Sequence, residues 1–284
     1  MSNTRAPIIL FVYNRLWHTQ QTLNALMQNE LAAESDLIVY SDGGKDTASW
    51  EQVSAVREYI GMISGFKSIT LINRDYNWGL ADNIISGVTE TLSHHSHVIV
   101  LEDDIITSRY FLRYMNEALS FYESHDDVMH IGGYVPNIHF EEESHFFLNR
   151  TMYCWGWATW RSAWKNFTRD VSRIDASITS NEIIHEMNLQ GCNPGVYEQF
   201  LANKAGKIRT WAVFWYLSIF LKNGLCLVPK RSFTHNIGND SSGVHCGTTT
   251  FFDTAVSEYY FNDFNSYIVE DEMCLGLLKK FYRG

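Results

Sequence analysis

Glu102, Asp103 and Asp104 stand in a row at the end of an apolar run, in the stretch HVIVLEDDII from His97 to Ile106. Val98 to Leu101 reads as a buried strand, so the acids emerge where a strand meets its following loop. Carboxylates this close repel one another and resist burial unless something positive sits among them. Oxygen donors suit a hard divalent cation. Mg2+ or Mn2+ is typically held by one or two carboxylates together with phosphates of a substrate. The competing reading is a solvated strand end whose acids precede a helix beginning at Thr107 or Ser108.

Other polar clusters share this placement. Asn14-Arg15 follows the first apolar run and offers a cation for a phosphate. Ser41-Asp42-Gly43-Gly44 follows the second, with an aspartate able to accept from a base N–H or a ribose hydroxyl and glycines that allow close backbone approach. Asn73-Arg74-Asp75 follows the third. Asn77-Trp78-Gly79-Leu80 opens a helix, whose N-terminus favours anions. Tyr153 to Trp164 (YCWGWATWRSAW) is aromatic enough to stack on sugar rings, although core packing accounts for part of it. Gly238 to His245 (GNDSSGVH) is a polar loop ending in a histidine. It reads as a segment that closes over a ligand or as an ordinary surface loop.

The elements that position these clusters follow from periodicity. Strands are expected at Pro7 to Tyr13, Asp36 to Tyr40, Ser68 to Asn73, Val98 to Leu101 and Val128 to Ile131. Helices are expected at Thr19 to Leu31, Ala48 to Ile63, Trp78 to Leu92 and Tyr110 to Tyr122. Short apolar strands separated by helices pair in parallel through right-handed crossovers. The fold class is therefore α/β: an open, mostly parallel, Rossmann-like sheet flanked by helices, with a C-terminal extension. Such sheets bind ligands at the carboxyl ends of their strands, where all four clusters sit. The second half is less regular. It offers helical stretches at Ser180 to Lys204, broken at Asn193-Pro194-Gly195, and at Trp211 to Lys222, ended by Asn223-Gly224. A strand is expected at Leu225 to Val228. One unit is expected over 1–284, with a nucleotide-binding half (1–135), an acceptor and sugar half (136–250) and an extension (251–284).

Composition narrows the class. The chain has 284 residues, 45% of them hydrophobic and 19% charged, and a net charge of −10 that argues against a nucleic-acid partner. No apolar run approaches the roughly 20 residues of a membrane span. The basic end at Leu277-Leu278-Lys279-Lys280-Phe281-Tyr282-Arg283 allows at most peripheral membrane contact. The N-terminus is polar and lacks the pattern of a signal peptide. The five cysteines form no CxxC pair, which favours a reducing cytoplasm, at most at the inner face of the membrane. A phosphate loop ending in Gly-Lys-Ser/Thr, an Asp-x-Asp after the first strand and a Gly-x-Gly-x-x-Gly fingerprint are all missing. Nucleotide hydrolysis of the phosphate-loop kind, phosphoaspartate chemistry and NAD binding are set aside on those grounds.

The ordered set Tyr13-Asn14-Arg15, Ser41-Asp42-Gly43-Gly44, Arg74-Asp75-Tyr76-Asn77-Trp78-Gly79-Leu80 and Val100-Leu101-Glu102-Asp103-Asp104 resembles the A-type (GT-A) nucleotide-sugar glycosyltransferases, N-acetylglucosaminyltransferase I and its bacterial relatives in particular. Gly156-Trp157, the Trp211 segment and the 238–245 loop fall in the same order. The resemblance covers roughly residues 7 to 247. It implies a UDP-sugar donor, a glycan or lipid-linked glycan acceptor and a Mn2+ or Mg2+ cofactor. It implies Asp104 as direct metal ligand with His245 beside it, Asp103 near the ribose, Glu102 on the donor sugar and Asp42 on the uracil. It further implies Arg15 and Asn77 near the nucleotide, Trp211 against the sugar and Ser242, in the loop over the diphosphate, as a hydrogen-bond donor to it. One departure stands out. The tryptophan matching Trp211 is followed in that family by an aspartate acting as general base, whereas Ala212 and Val213 follow here. Asp240 and Glu198 are the substitute candidates. A retaining reaction, or a nucleotide-sugar-binding protein that has lost its base, are the alternatives.

Overall fold

Four apolar runs bounded by polar residues form the parallel strands β1 (Ile8–Val12), β2 (Asp36–Ser41), β3 (Ser68–Asn73) and β4 (His97–Glu102). All five residues of β1 and the four apolar residues of β4 are buried, as continuous apolar runs require when helices cover both faces of a sheet. The crossovers are α1 (Leu16–Met27), α2 (Thr47–Met62) and α3 (Leu80–His94). Asp46 starts α2 with a reciprocal capping box to Ser49, which fixes where the chain leaves the β2 turn. The computed structural model describes residues 5–141, 144–243 and 248–283.

After β4 come β5 (Ile105–Thr107), α4 (Phe111–Phe121), β6 (Val128–Gly132), β7 (Phe146–Asn149) and β8 (Trp157–Trp160). Helices α5 (Arg161–Trp164), α6 (Val171–Ser177), α7 (Asn181–Met187), α8 (Gly195–Lys204) and α9 (Ala212–Phe220) precede β9 (Leu225–Pro229) and β10 (Thr234–Asn236). The last helix is α10 (Glu272–Arg283). Eight strands form one sheet in the order β3-β2-β1-β4-β8-β6-β9-β7. β8 and β7 run against the other six, so the sheet is open and mostly parallel, as the sequence predicts.

The order contains a reversal. From β1 the chain proceeds outward to β2 and β3, then returns to lay β4 on the other side of β1. In open α/β sheets the crevice for ligands opens at such a switch point, beyond the carboxyl ends of the strands. Phe11 is level with Glu102 in the β1–β4 register, so Arg15 and the Asp103–Asp104 turn leave the sheet side by side.

Two features differ from the sequence reading. Strand β5 is unexpected, because Ile105 to Thr107 becomes a strand only by pairing antiparallel with Thr234 to Asn236, far along the chain; the helix expected at Tyr110 to Tyr122 follows it as α4. The aromatic segment is largely interior. Trp157, Trp160 and Trp164 are buried, and Trp157 stacks on His130 and on Trp211 at ring-centre distances of 5.4 and 5.2 Å. The expected αL stop after α9 is present at Asn223, with φ 54°.

Candidate functional site

Arg15 sits between the carboxylates at the switch point. Its Nη2 donates to Asp104 Oδ2 at 2.7 Å and to Asp103 Oδ1, and its Nε donates to Asp103 Oδ2 at 3.4 Å. The turn that presents the acids is held from two sides. Thr22 Oγ1 in α1 donates to the Asp103 carbonyl at 2.8 Å, and the Ile237 N–H donates to the Asp104 carbonyl at 2.9 Å. Charge balance is incomplete. Glu102, Asp103 and Asp104 face a single guanidinium, so full ionisation leaves two negative charges uncompensated. Burial, then Asp104 and Asp103, push the Glu102 carboxyl up to about 8. Burial pushes Asp103 up to about 6 against the pull of Arg15. Burial alone would lower the Arg15 pKa, but Asp103 and Asp104 together raise it.

This donor set fits a hard divalent cation. All of its groups are carboxylate oxygens, the donors that Mg2+ and Mn2+ prefer, and a cation beside them would favour their ionised forms. Among the described residues, no group of three His, Cys, Asp or Glu side chains is placed to hold a metal by itself. That suits a cation held by one or two carboxylates and completed by phosphate oxygens. His245, the second expected ligand, lies outside the described residues.

The charge imbalance sets a pH dependence. A carboxyl raised in the folded state keeps its proton where the unfolded chain, titrating near about 4, has lost it. The folded state then binds more protons, so its stability falls as pH rises from about 4 towards the Glu102 value of about 8. In EDTA the melting temperature should fall between pH 5 and 8, and Glu102→Gln should flatten that fall. Parallel profiles for the two proteins would show that Glu102 is ionised throughout.

The cleft in front of this cluster has a volume of about 610 Å3. It runs from Asp103 and Asp104, past Arg15 and Asp42, to Lys45, Ser49 and Gln52 at the start of α2, with Asn77 to Asn83 at the start of α3 as one wall. Asp42 is buried, and its carboxylate is fully engaged. Oδ1 accepts from the N–H groups of Gly43 (2.9 Å) and Trp78 (2.8 Å). Oδ2 accepts from the N–H of Gly79 (2.9 Å) and from Asn77 Nδ2 (3.1 Å). Asn77 Nδ2 also donates to the Gly43 carbonyl at 2.9 Å. The expectation that Asp42 reads a base therefore meets an aspartate whose four acceptor directions are already taken by its own chain. Its role is to clamp the wall at 77–79 to the end of β2. Gly43 is needed there, because a Cβ would lie 2.4 Å from the Tyr76 carbonyl carbon.

The other wall is the segment after β10. Gly238 lies directly over Asp104, where a Cβ would fall 2.1 Å from Oδ2, the oxygen that binds Arg15. Gly238→Ala should push the segment off the cluster or the carboxylate off Arg15. A loss of roughly 1–3 kcal/mol is expected, read as a melting temperature lower by several degrees. An unchanged melt would mean that this contact is not made in solution. Further on, Ser242 lines the cleft, and Asp240 accepts its N–H at 2.9 Å. Asp240 Oδ2 lies 3.0 Å from Nε2 of the buried His18 in α1, and Ser241 Oγ lies 2.7 Å from Thr248 Oγ1. Through His18 the described part of the loop is tied to α1.

The expected site residues divide into two groups. Arg15, Asp42, Asn77, Glu102, Asp103, Asp104 and Ser242 all line the one cleft. Trp211 does not: it is buried in the stack with Trp157, because the apolar α9 pulls the start of its helix into the core. Glu198 does not either, being exposed on α8. Asp240 stands at the rim, but hydrogen bonds from Ser242, and then His18, hold its carboxyl down to about 2. A general base working near neutral pH needs a much higher value. Sequence reasoning missed His18 and Arg209, and had Gly238 only as the first residue of the 238–245 loop. Arg209 lines the cleft and, with Arg169, pairs with Asp82 in the first turn of α3. Nothing local marks these residues, since each acts through a partner distant in sequence.

No family model matches the chain, and no curated protein matches it in sequence. Among solved structures it is similar to a mannosyltransferase from Pyrobaculum calidifontis in complex with GDP-Man and Mn2+. The identity is 12% over 76% of this chain and 70% of that one, with a TM-score of 0.45. It is also similar to a 1–349 fragment of S. aureus TarS, at 13% identity over 59% of this chain and 51% of that one, TM-score 0.40. Against a longer form of TarS the identity is 14%, over 59% of this chain and 30% of that one, TM-score 0.40.

Proposed function

We propose that the chain is a metal-dependent glycosyltransferase that moves a sugar from a UDP-sugar to a hydroxyl of a bacterial glycan acceptor, in cell-surface polysaccharide assembly. The observation that carries this reading is the carboxylate–guanidinium cluster at the switch point, opening into a cleft within the usual 300–1,000 Å3 of small-molecule sites. A divalent cation held by Asp104 and Asp103 would neutralise charge developing on the leaving diphosphate. The chain's own residues do the positioning. Asp42 keeps the 77–79 wall in place, so that the α3 N-terminus faces the anionic end of the donor. Ser242 and Gly243 line the opposite wall. Glu102 stands at the end of β4, within reach of the sugar side. The acceptor, a glycan or lipid-linked glycan, would enter past Arg209. Among the described residues no helix is long and apolar enough to cross a membrane.

One observation favours a second reading. Neither candidate base is poised for the work: Glu198 does not line the cleft, and Asp240 is held down to about 2. A nucleotide-sugar-binding protein without turnover has the same cleft and needs no base. Donor hydrolysis separates the two readings. Purified protein with Mn2+ should release UDP from at least one of a panel of UDP-hexoses and UDP-N-acetylhexosamines, and EDTA should stop it. Mn2+-dependent binding with no release from any donor would make it a binding protein.

A further inference from the structure

Arg15 does more than sit near the nucleotide. Its guanidinium occupies the same carboxylate oxygens that a divalent cation would need. Nη2 bridges Asp103 and Asp104, and Nε closes a second contact to Asp103. The bridge is well buried, with side-chain exposures of 17% for Arg15, 7% for Asp103 and 8% for Asp104. Gly238 covers it from above. The remaining terminal nitrogen, Nη1, is buried without a hydrogen-bond partner among the described residues, so two of the five N–H donors of the guanidinium are unmet in this bridge.

We propose that Arg15 is a resident counter-ion that a divalent cation must displace, and that the displaced guanidinium moves onto the diphosphate of the incoming nucleotide. The inference rests on the metal and nucleotide reading of the cleft and adds an exchange of partners to it. A cation arriving alone has to break the bridge and leave a guanidinium without a partner in a buried setting, which opposes its entry. A cation arriving with a diphosphate offers Arg15 new acceptor oxygens, including a partner for Nη1, in the paired geometry that guanidinium and phosphate favour. Metal and nucleotide should therefore each raise the other's affinity, and by linkage the two enhancements must be equal. The chain would then discriminate against loading with free metal and take up the metal–nucleotide complex as a unit. The bonds exchanged are all ionic hydrogen bonds, so no covalent step is involved.

The test is the binding of Mn2+ by calorimetry to the whole chain and to R15Q, each with and without UDP. Wild type should bind Mn2+ weakly alone and at least about tenfold more tightly with UDP, within the usual span of coupling between two ligands. R15Q should bind Mn2+ alone about tenfold more tightly than wild type, because the competitor is gone, and UDP should enhance that binding far less. R15K keeps the charge without the fork, and should fall between the two. It also serves as the second variant if R15Q fails to fold. Equal affinity of wild type, R15Q and R15K for Mn2+ alone would overturn the exchange while leaving the metal site intact. An undiminished UDP enhancement in R15Q would overturn the transfer of Arg15 to the diphosphate. If Mn2+ binds none of these proteins with or without UDP, the metal reading falls and the exchange falls with it.

Discussion

Asp104→Asn is expected to lower donor turnover by at least about 100-fold and to remove the Mn2+ dependence of UDP binding, while the chain stays folded. The substitution is nearly isosteric. It removes one anionic oxygen from the cluster and leaves Arg15 paired with Asp103. Breaking a buried ion pair usually costs about 3–5 kcal/mol, because a lone charge is left behind. Here the carboxylates outnumber the guanidinium three to one, so removing one of them relieves repulsion as well as breaking a contact. Stability should change little in EDTA. Calorimetry of UDP with Mn2+ and with EDTA, beside a thermal melt, checks both halves. Mn2+-dependent UDP affinity equal to wild type would take Asp104 out of the metal site. A collapse of the melt would mean that the aspartate is mainly structural.

Asp42→Ala should act by a different route. Three backbone N–H groups in a part-buried turn lose their acceptor at once, and Asn77 Nδ2 keeps only the Gly43 carbonyl. At about 1–3 kcal/mol for each donor left unsatisfied, partly relieved by water, the loss is roughly 3–5 kcal/mol. For a chain of this size that lowers the melting temperature by roughly 10 °C. UDP binding should weaken with it, equally for every sugar donor, because the 77–79 wall is common to all of them. Full thermal stability with selectively weaker UDP binding would place the Asp42 carboxylate on the ligand itself.

Much of the fold was legible because the first half obeys local rules. Each of β1 to β4 is an apolar run with a polar cluster at its end, and each intervening helix shows an inward face such as Val53, Val56 and Ile60. The second half was less legible for a physical reason. β5 and β10 are three-residue strands that exist only by pairing with each other across more than a hundred residues. The site divides the same way. Arg15, Asp42, Asp103 and Asp104 follow strands, and a parallel sheet brings strand ends together whatever else it does. Which group each side chain binds is not a local property. Asp42 looked free for a ligand and is spent on the 77–79 turn. Trp211 looked like a sugar platform and is part of the Trp157 stack. Part of the positive charge that the three acids call for is present within the chain as Arg15, and the sequence showed that residue only as a cation for a phosphate.

A crystal structure of the chain grown with UDP and Mn2+ tests the central claim most directly. The account predicts an anomalous Mn2+ peak at the Asp104 carboxylate, with the diphosphate beside it in the cleft between Arg15 and the start of α3. A nucleotide bound elsewhere, or the Arg15 bridge to Asp103 and Asp104 intact with no metal peak at saturating UDP and Mn2+, would contradict it.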